Sequence, residues 1–109
     1  MNLTGQGVYR TGNHVKSPKS RSAAQDAHCT LRLEGCKSGQ GNVVLCHLRR
    51  FGWAGTAHKP ADYKGLFACD HCHAILDGPR SDPRIGDDDI LRALGETLDI
   101  QFANGVFKI

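Results

Sequence analysis

Four of the five cysteines fall into two pairs, Cys29/Cys36 and Cys69/Cys72. Two cysteine pairs about thirty residues apart are a common spacing for a tetrahedral structural zinc ion. Two histidines stand around them. His47 lies in the apolar run Val43-Val44-Leu45-Cys46-His47-Leu48, and His73 directly follows the last ligand in Cys69-Asp70-His71-Cys72-His73. A neutral imidazole titrates near working pH, so His47 fits a general base that deprotonates water. A histidine or carboxylate can hold a divalent metal that stabilises a phosphate and its leaving oxygen. His73 fits that ligand, with Asp77 four residues on and on the same side of a helix. Arg49, Arg50 and Lys59 could hold phosphates. A zinc ion on four thiolates has no open position, so hydrolysis would need its own site.

Each residue also has a plainer reading, and the residues alone leave both open. An isolated strand histidine such as His47 is more often a satisfied core or surface residue. His73, His71 and His28 adjoin ligand cysteines and compete with them for zinc. His58 sits in a glycine-bearing loop and reads as a surface residue. Asp77 could be no more than a helix cap or a surface partner. Phe51 and Trp53 read as loop anchors before they read as platforms for stacked bases. Cys46, in an apolar strand, reads as a small buried residue.

The elements that must position these groups follow from pattern. Residues 1–22 carry Arg10, Lys16, Lys19 and Arg21 without an acidic residue and show no apolar period. They predict a basic, disordered arm, either solubilising or able to neutralise phosphates, with ordered structure from about Ala23–Ala27. His28–Leu33 alternates polar and apolar over its second half and predicts a strand, closed by a turn at Glu34-Gly35-Cys36. Val43–Leu48 is the clearest strand, and residues 49–63 an ordered loop. Leu66-Phe67-Ala68 leads into a short helix capped by Asp70, running to about Asp77 and stopped by Gly78-Pro79. Asp87-Asp88-Asp89 opens a second helix, where the macrodipole favours negative charge. Ile90, Leu94, Leu98 and Phe102 form its stripe, widened by Leu91. Val106–Ile109 predicts a short terminal strand. The boundaries are an arm at 1–22 and a domain at 23–109, with a zinc-stapled core at about 28–79 and a C-terminal helix and strand at 87–109.

With 109 residues, 39% of them hydrophobic, and 13 glycines, the chain is one domain with a modest core. Such a core often needs a staple, zinc or disulfides. No apolar run is long enough for a secretory signal or a membrane span, which predicts a cytoplasmic protein. Reducing conditions there favour metal over disulfide. The formal charge of +3 is weak evidence for a nucleic-acid partner, and the basic arm is better evidence.

The order of the motifs carries a resemblance. Cys…Cys, a strand ending in histidine, then Cys-x-x-Cys-His at a helix start resembles the zinc-containing HNH (His-Me finger) nucleases. More closely, His28–Gly78 is similar to the small phage and prophage nucleases typified by YbcO. The matching pieces are Cys29-Thr-Leu-Arg-Leu-Glu-Gly-Cys36, Leu45-Cys-His-Leu-Arg49, Gly55-Thr56 with Lys59-Pro60-x-Asp62, and Ala68-Cys-x-x-Cys-His73 with Asp77. The C-terminal helix and Gly105-Val-x-Lys-Ile109 are also similar, and the N-terminal arm has no counterpart. The resemblance implies an α+β, treble-clef-like ββα-metal fold and metal-dependent cleavage of DNA, with RNA as a second substrate class. It makes His47 the general base and His73 a ligand of catalytic Mg2+ or Mn2+. Zn2+ would sit on Cys29, Cys36, Cys69 and Cys72. The implied setting is a bacterial host cell and a phage or prophage origin. Two positions depart from the wider pattern. Cys46 stands where an acid or histidine often precedes the base, and Lys64 and Gly65 stand where an asparagine is usual. Asp62 could supply the missing oxygen ligand. The rival readings are a zinc-dependent nucleic-acid-binding module without catalysis and a protein-interaction adaptor.

Overall fold

The computed structural model describes residues 16–39, 41–49 and 60–107. Their architecture is α+β: helix α1 (Pro18–Ala23) continues into a 3-10 turn (Ala24–Asp26), followed by strands β1 (Val43–His47) and β2 (Gly65–Cys69) and helices α2 (Asp70–Leu76) and α3 (Asp87–Ala103). The strands pair antiparallel, with Val43 opposite Cys69 and His47 opposite Gly65. β2 is buried throughout, as an apolar strand covered on both sides must be. Thr97 of α3 helps to cover it: its hydroxyl accepts the Phe67 N–H at 3.0 Å and donates to the Ala93 carbonyl at 2.8 Å. The core gathers Leu31, Leu33, Val43, Cys46, Leu48, Leu66, Phe67, Ile75, Leu76, Ile85 and Ile90. The expected burial of Cys46 holds, at 1% exposure.

Several expectations are corrected. Residues 18–22, assigned to a disordered arm, belong to α1. Ser17 caps that helix by accepting the Ser20 N–H, and Pro18 occupies its first turn. A proline there has no N–H to lose, so Ser-Pro is a start signal. Residues 1–15 of the arm lie outside the described residues.

His28–Leu33 is not a strand. Arg32 has φ 47, a left-handed conformation that no strand contains. Leu31 and Leu33 are buried on either side of an exposed Arg32, so the alternation marks burial along an irregular loop. The turn at its end is as expected. The Cys36 N–H reaches the Leu33 carbonyl at 2.9 Å, and Gly35 takes φ 83. A side chain at Gly35 would also meet His71 Nε2 at 2.6 Å.

α2 starts one residue earlier than expected, with Cys69 as its cap, whose sulfur accepts the Cys72 N–H. Asp70 sits one residue later and accepts from Asn42 Nδ2 at 3.0 Å. On α3 the buried residues are Ile90, Ala93, Thr97 and Gln101, while Leu91 is 65% and Phe102 43% exposed. A stripe stepping only by four drifts: twelve residues on, Phe102 lies about 120° from Ile90, whereas Gln101 lies about 20° away. Val106 and Phe107 form a bend, not a strand, with Phe107 edge-on to Phe102 at 5.9 Å.

Candidate active site

α2 carries functional groups on two faces. On the inner face Cys72 joins Cys29, Cys36 and Cys69, and the four sulfurs lie within 4.8 Å of one another. The Cys36 and Cys69 sulfurs are 3.9 Å apart. A tetrahedral zinc ion with Zn–S bonds of about 2.3 Å places its sulfurs about 3.8 Å apart, so the cluster fits that ion. A disulfide needs about 2.05 Å, and all five cysteines are free thiols. Backbone N–H groups are aimed at the sulfurs, from Arg32 to Cys29 and from Cys72 to Cys69, each at 3.5 Å. At Cys69 burial pushes the thiol up, but the Cys72 and Lys37 amides and the neighbouring thiols outweigh it and bring it to about 7. Such a sulfur gives up its proton to a metal readily. His71 turns from the cluster to bond the Glu34 carbonyl at 2.7 Å. His28 lies near Glu96, 3.7 Å away.

On the other face His73 and Asp77, one helical turn apart, meet at 2.9 Å between Nε2 and Oδ2. Both line an open cleft of about 430 Å³ shared with His47, Arg49, Arg21 and Cys46. His47 enters from the end of β1, so the hairpin and α2 each deliver one histidine to the same space. The opposite register position is Gly65. A Cβ there would come within 2.9 Å of both the Cys46 carbonyl and Leu45 Cδ1. The strand pairing at His47 therefore requires glycine where the wider nuclease pattern has asparagine nearby.

Asp62, expected as an oxygen ligand for the catalytic metal, takes a different position. It is 1% exposed, does not line the cleft, and sits behind His47 with Oδ1 2.8 Å from Nε2. Its carboxylate also accepts the Ser17 N–H and a bond from Arg21 at 3.2 Å. Burial alone would raise its pKa; the Ser17 amide, His47 and Arg21 more than offset this and hold it below the usual carboxylate range. An ionised carboxylate only accepts, so this contact is one that a proton on His47 Nε2 makes to Asp62. Ser17 and Arg21 are the site residues that sequence reasoning missed. The Ser17-Pro18 helix start was the available signal.

The 2.9 Å spacing of His73 Nε2 and Asp77 Oδ2 suits a divalent cation. Two adjacent ligands of an octahedral ion, each about 2.1 Å from it, lie about 3.0 Å apart. Arg49 lines the cleft; Arg50, Lys59, His58, Phe51 and Trp53 lie outside the described residues. No described helix is long and apolar enough to cross a membrane.

Comparison with known proteins adds family relationships. The family model described as "Putative nuclease YbcO" matches residues 18–95. The match starts at Pro18, the first residue of α1, which corrects the expectation that the N-terminal arm has no counterpart, since residues 18–22 of that arm are matched. "Putative nuclease YbcO" of Escherichia coli (strain K12) and "Putative nuclease ybcO" of Enterobacteria phage 82 are each 38% identical over 58 residues. These matches span 52% of this chain and 60% of each relative's length. A solved structure of a "putative bacteriophage protein" from Escherichia coli K-12 has a TM-score of 0.58 and 26% identity, covering 80% of this chain and 100% of that one.

Proposed function

The chain belongs to the YbcO family, and we propose that it acts as a metal-dependent endonuclease of the HNH (His-Me finger) class that hydrolyses DNA. The observation that carries this reading is the shared cleft: His47, backed by the buried Asp62, and the His73–Asp77 pair line one open space. The order strand, strand, helix, with a thiolate cluster at its base, supports the ββα-metal assignment.

In this mechanism His47 takes a proton from water through Nδ1, and Asp62 fixes the ring and stabilises the imidazolium that forms. Asp62 takes the place of an orienting partner and leaves the metal to others. His73 and Asp77 would hold the divalent cation, Mg2+ or Mn2+, which would supply charge stabilisation to the phosphate and the leaving oxygen. Arg49 holds a phosphate at the cleft edge. Cys29, Cys36, Cys69 and Cys72 would hold a structural Zn2+ that ties the turn at Cys36 to α2, a role in the fold and not in the reaction. Departing from the wider pattern, Cys46 does not add a ligand: its thiol is buried, and that burial pushes its pKa up. The site expects a cytoplasmic setting, where DNA and divalent cations meet.

Incubating supercoiled plasmid with the protein and Mg2+ or Mn2+ tests the reading. Wild type nicks or linearises the plasmid, and His47→Ala does so at least about a hundredfold more slowly. Equal background nicking by both proteins defeats it. Zinc-dependent DNA binding that survives His47→Ala, with no cleavage in any metal, selects the non-catalytic binding module instead. The same assay on single-stranded RNA separates the substrate classes.

A further inference from the structure

The side chain of Arg21 joins two features that sequence reasoning kept apart, the basic N-terminal segment and the cleft. Arg21 projects from α1 and lines the cleft with His47, Arg49, His73 and Asp77, while its side chain is half exposed. Its anchor is the buried Asp62, reached by one guanidinium nitrogen at 3.2 Å. A guanidinium presents five N–H donors in a rigid fork, so this bond uses only part of its capacity. Other arginines are committed differently. Arg32 spends two nitrogens on the Glu96 carboxylate, and Arg84 spends two on Asp82. Arg92 divides itself among the Thr30 and Leu31 carbonyls and Glu96. None of these three lines the cleft.

Charge gives the arrangement a direction. Asp62 is an anion directly behind His47, and Asp77 is an acidic residue at the cleft surface. A phosphodiester entering the cleft meets Asp77 at its surface, with the charge of Asp62 buried behind His47, and Arg21 and Arg49 are the arginines lining it. We infer that Arg21 is a phosphate-contacting residue for DNA, anchored on Asp62 through one nitrogen and bonding the nucleic-acid backbone through the rest of its fork. The anchor orients the guanidinium before the substrate arrives, so less side-chain freedom is lost on binding. It also gives α1 a function: the helix is clamped to Asp62 through the Ser17 amide and Arg21 so that its one cleft-lining side chain is correctly placed. The inference rests on the reading of the cleft as a phosphodiester site.

The test is binding of a short fluorescent DNA duplex to the zinc-loaded protein across a salt series, without added Mg2+ or Mn2+. Arg21→Gln, with zinc content and circular dichroism unchanged, should weaken binding about tenfold at low salt. The slope of log affinity against log salt should fall by about 0.9, the value for one lost phosphate contact. Arg21→Lys keeps the charge and should keep the slope. An unchanged slope and affinity in folded Arg21→Gln overturns the inference. Should Arg21→Gln not fold, phenylglyoxal modification of wild type, mapped by mass spectrometry, decides. Protection of Arg21 by DNA supports the contact, and equal modification with and without DNA overturns it. Neither readout involves cleavage. A lost slope in a protein that never nicks plasmid keeps the contact and removes the enzyme reading, while nicking with an unaffected slope does the reverse.

Discussion

The two faces of α2 are built to opposite rules although they share seven residues. The inner face contributes Cys72, fully buried, to four sulfurs packed within 4.8 Å. The outer face contributes His73, 37% exposed, whose Asp77 partner is 62% exposed, at the edge of an open cleft. A closed set of thiolates suits an ion that never leaves. An open imidazole and carboxylate suit one that exchanges water and substrate. The cleft itself shows a similar gradient, because its base is backed by a carboxylate with 1% exposure. The lesson is that the buried partners, the cysteines on one side and Asp62 on the other, back groups that stay accessible and are proposed to meet substrate.

The largest expected effect comes from breaking the inner face. Cys72→Ser should lose tightly held zinc and with it the cooperative fold. Structural zinc contributes roughly 10–16 kcal/mol of apparent binding energy, as large as the whole stability of an ordinary domain. Thermal melting by circular dichroism and zinc analysis check this, and a folded, zinc-bearing Cys72→Ser protein contradicts it.

His47→Ala should separate the two faces. Zinc content and melting should stay close to wild type, while the cleavage rate falls roughly 10²–10⁴-fold. A large loss of zinc would mean that the faces are not independent.

Asp62→Asn should lower cleavage less than His47→Ala, since the ring keeps one hydrogen-bond partner but loses the charge that stabilises its protonated form. It should also change the acid limb of the stability curve. The Asp62 pKa is lower in the folded protein than in the unfolded chain. Its contribution is therefore complete above the ordinary aspartate value of about 3.9 and is lost as pH falls through the lower folded value. Urea unfolding between neutral pH and pH 3 should show wild type losing more stability than Asp62→Asn. Parallel curves would remove the assigned role of the buried carboxylate.

The smallest effect sharpens the reading of α3. Leu91 is 65% exposed, so Leu91→Lys should change stability by no more than about 0.5 kcal/mol. Ala93 is fully buried, and Ala93→Leu should overpack the core by about 1–3 kcal/mol.

Much of this was legible in the chain because the strongest signals were chemical. Cysteine spacing located the cluster of four sulfurs, and the β-branched run located β1. The 100° step per helical residue separated Cys72 from His73. What failed depended on tertiary context. Alternation at Leu31 and Leu33 reflected burial in a loop bent at Arg32. The basic composition of the N-terminal segment hid a helix whose cap Ser17 and inner residue Arg21 both meet Asp62. Asp62 itself read as a candidate ligand because sequence shows a carboxylate near a histidine but not whether it is beside the cleft or behind it.

The central claim, two metal sites on two faces of one short helix, is tested most directly by metal binding. Zinc analysis should find about one tightly held zinc per chain in both wild type and His73→Ala. Mn2+ titration followed by electron paramagnetic resonance should find one weak additional site in wild type, lost in His73→Ala and weakened in Asp77→Asn. If His73→Ala instead loses its zinc, or binds Mn2+ as wild type does, the division of labour between the two faces of α2 is wrong.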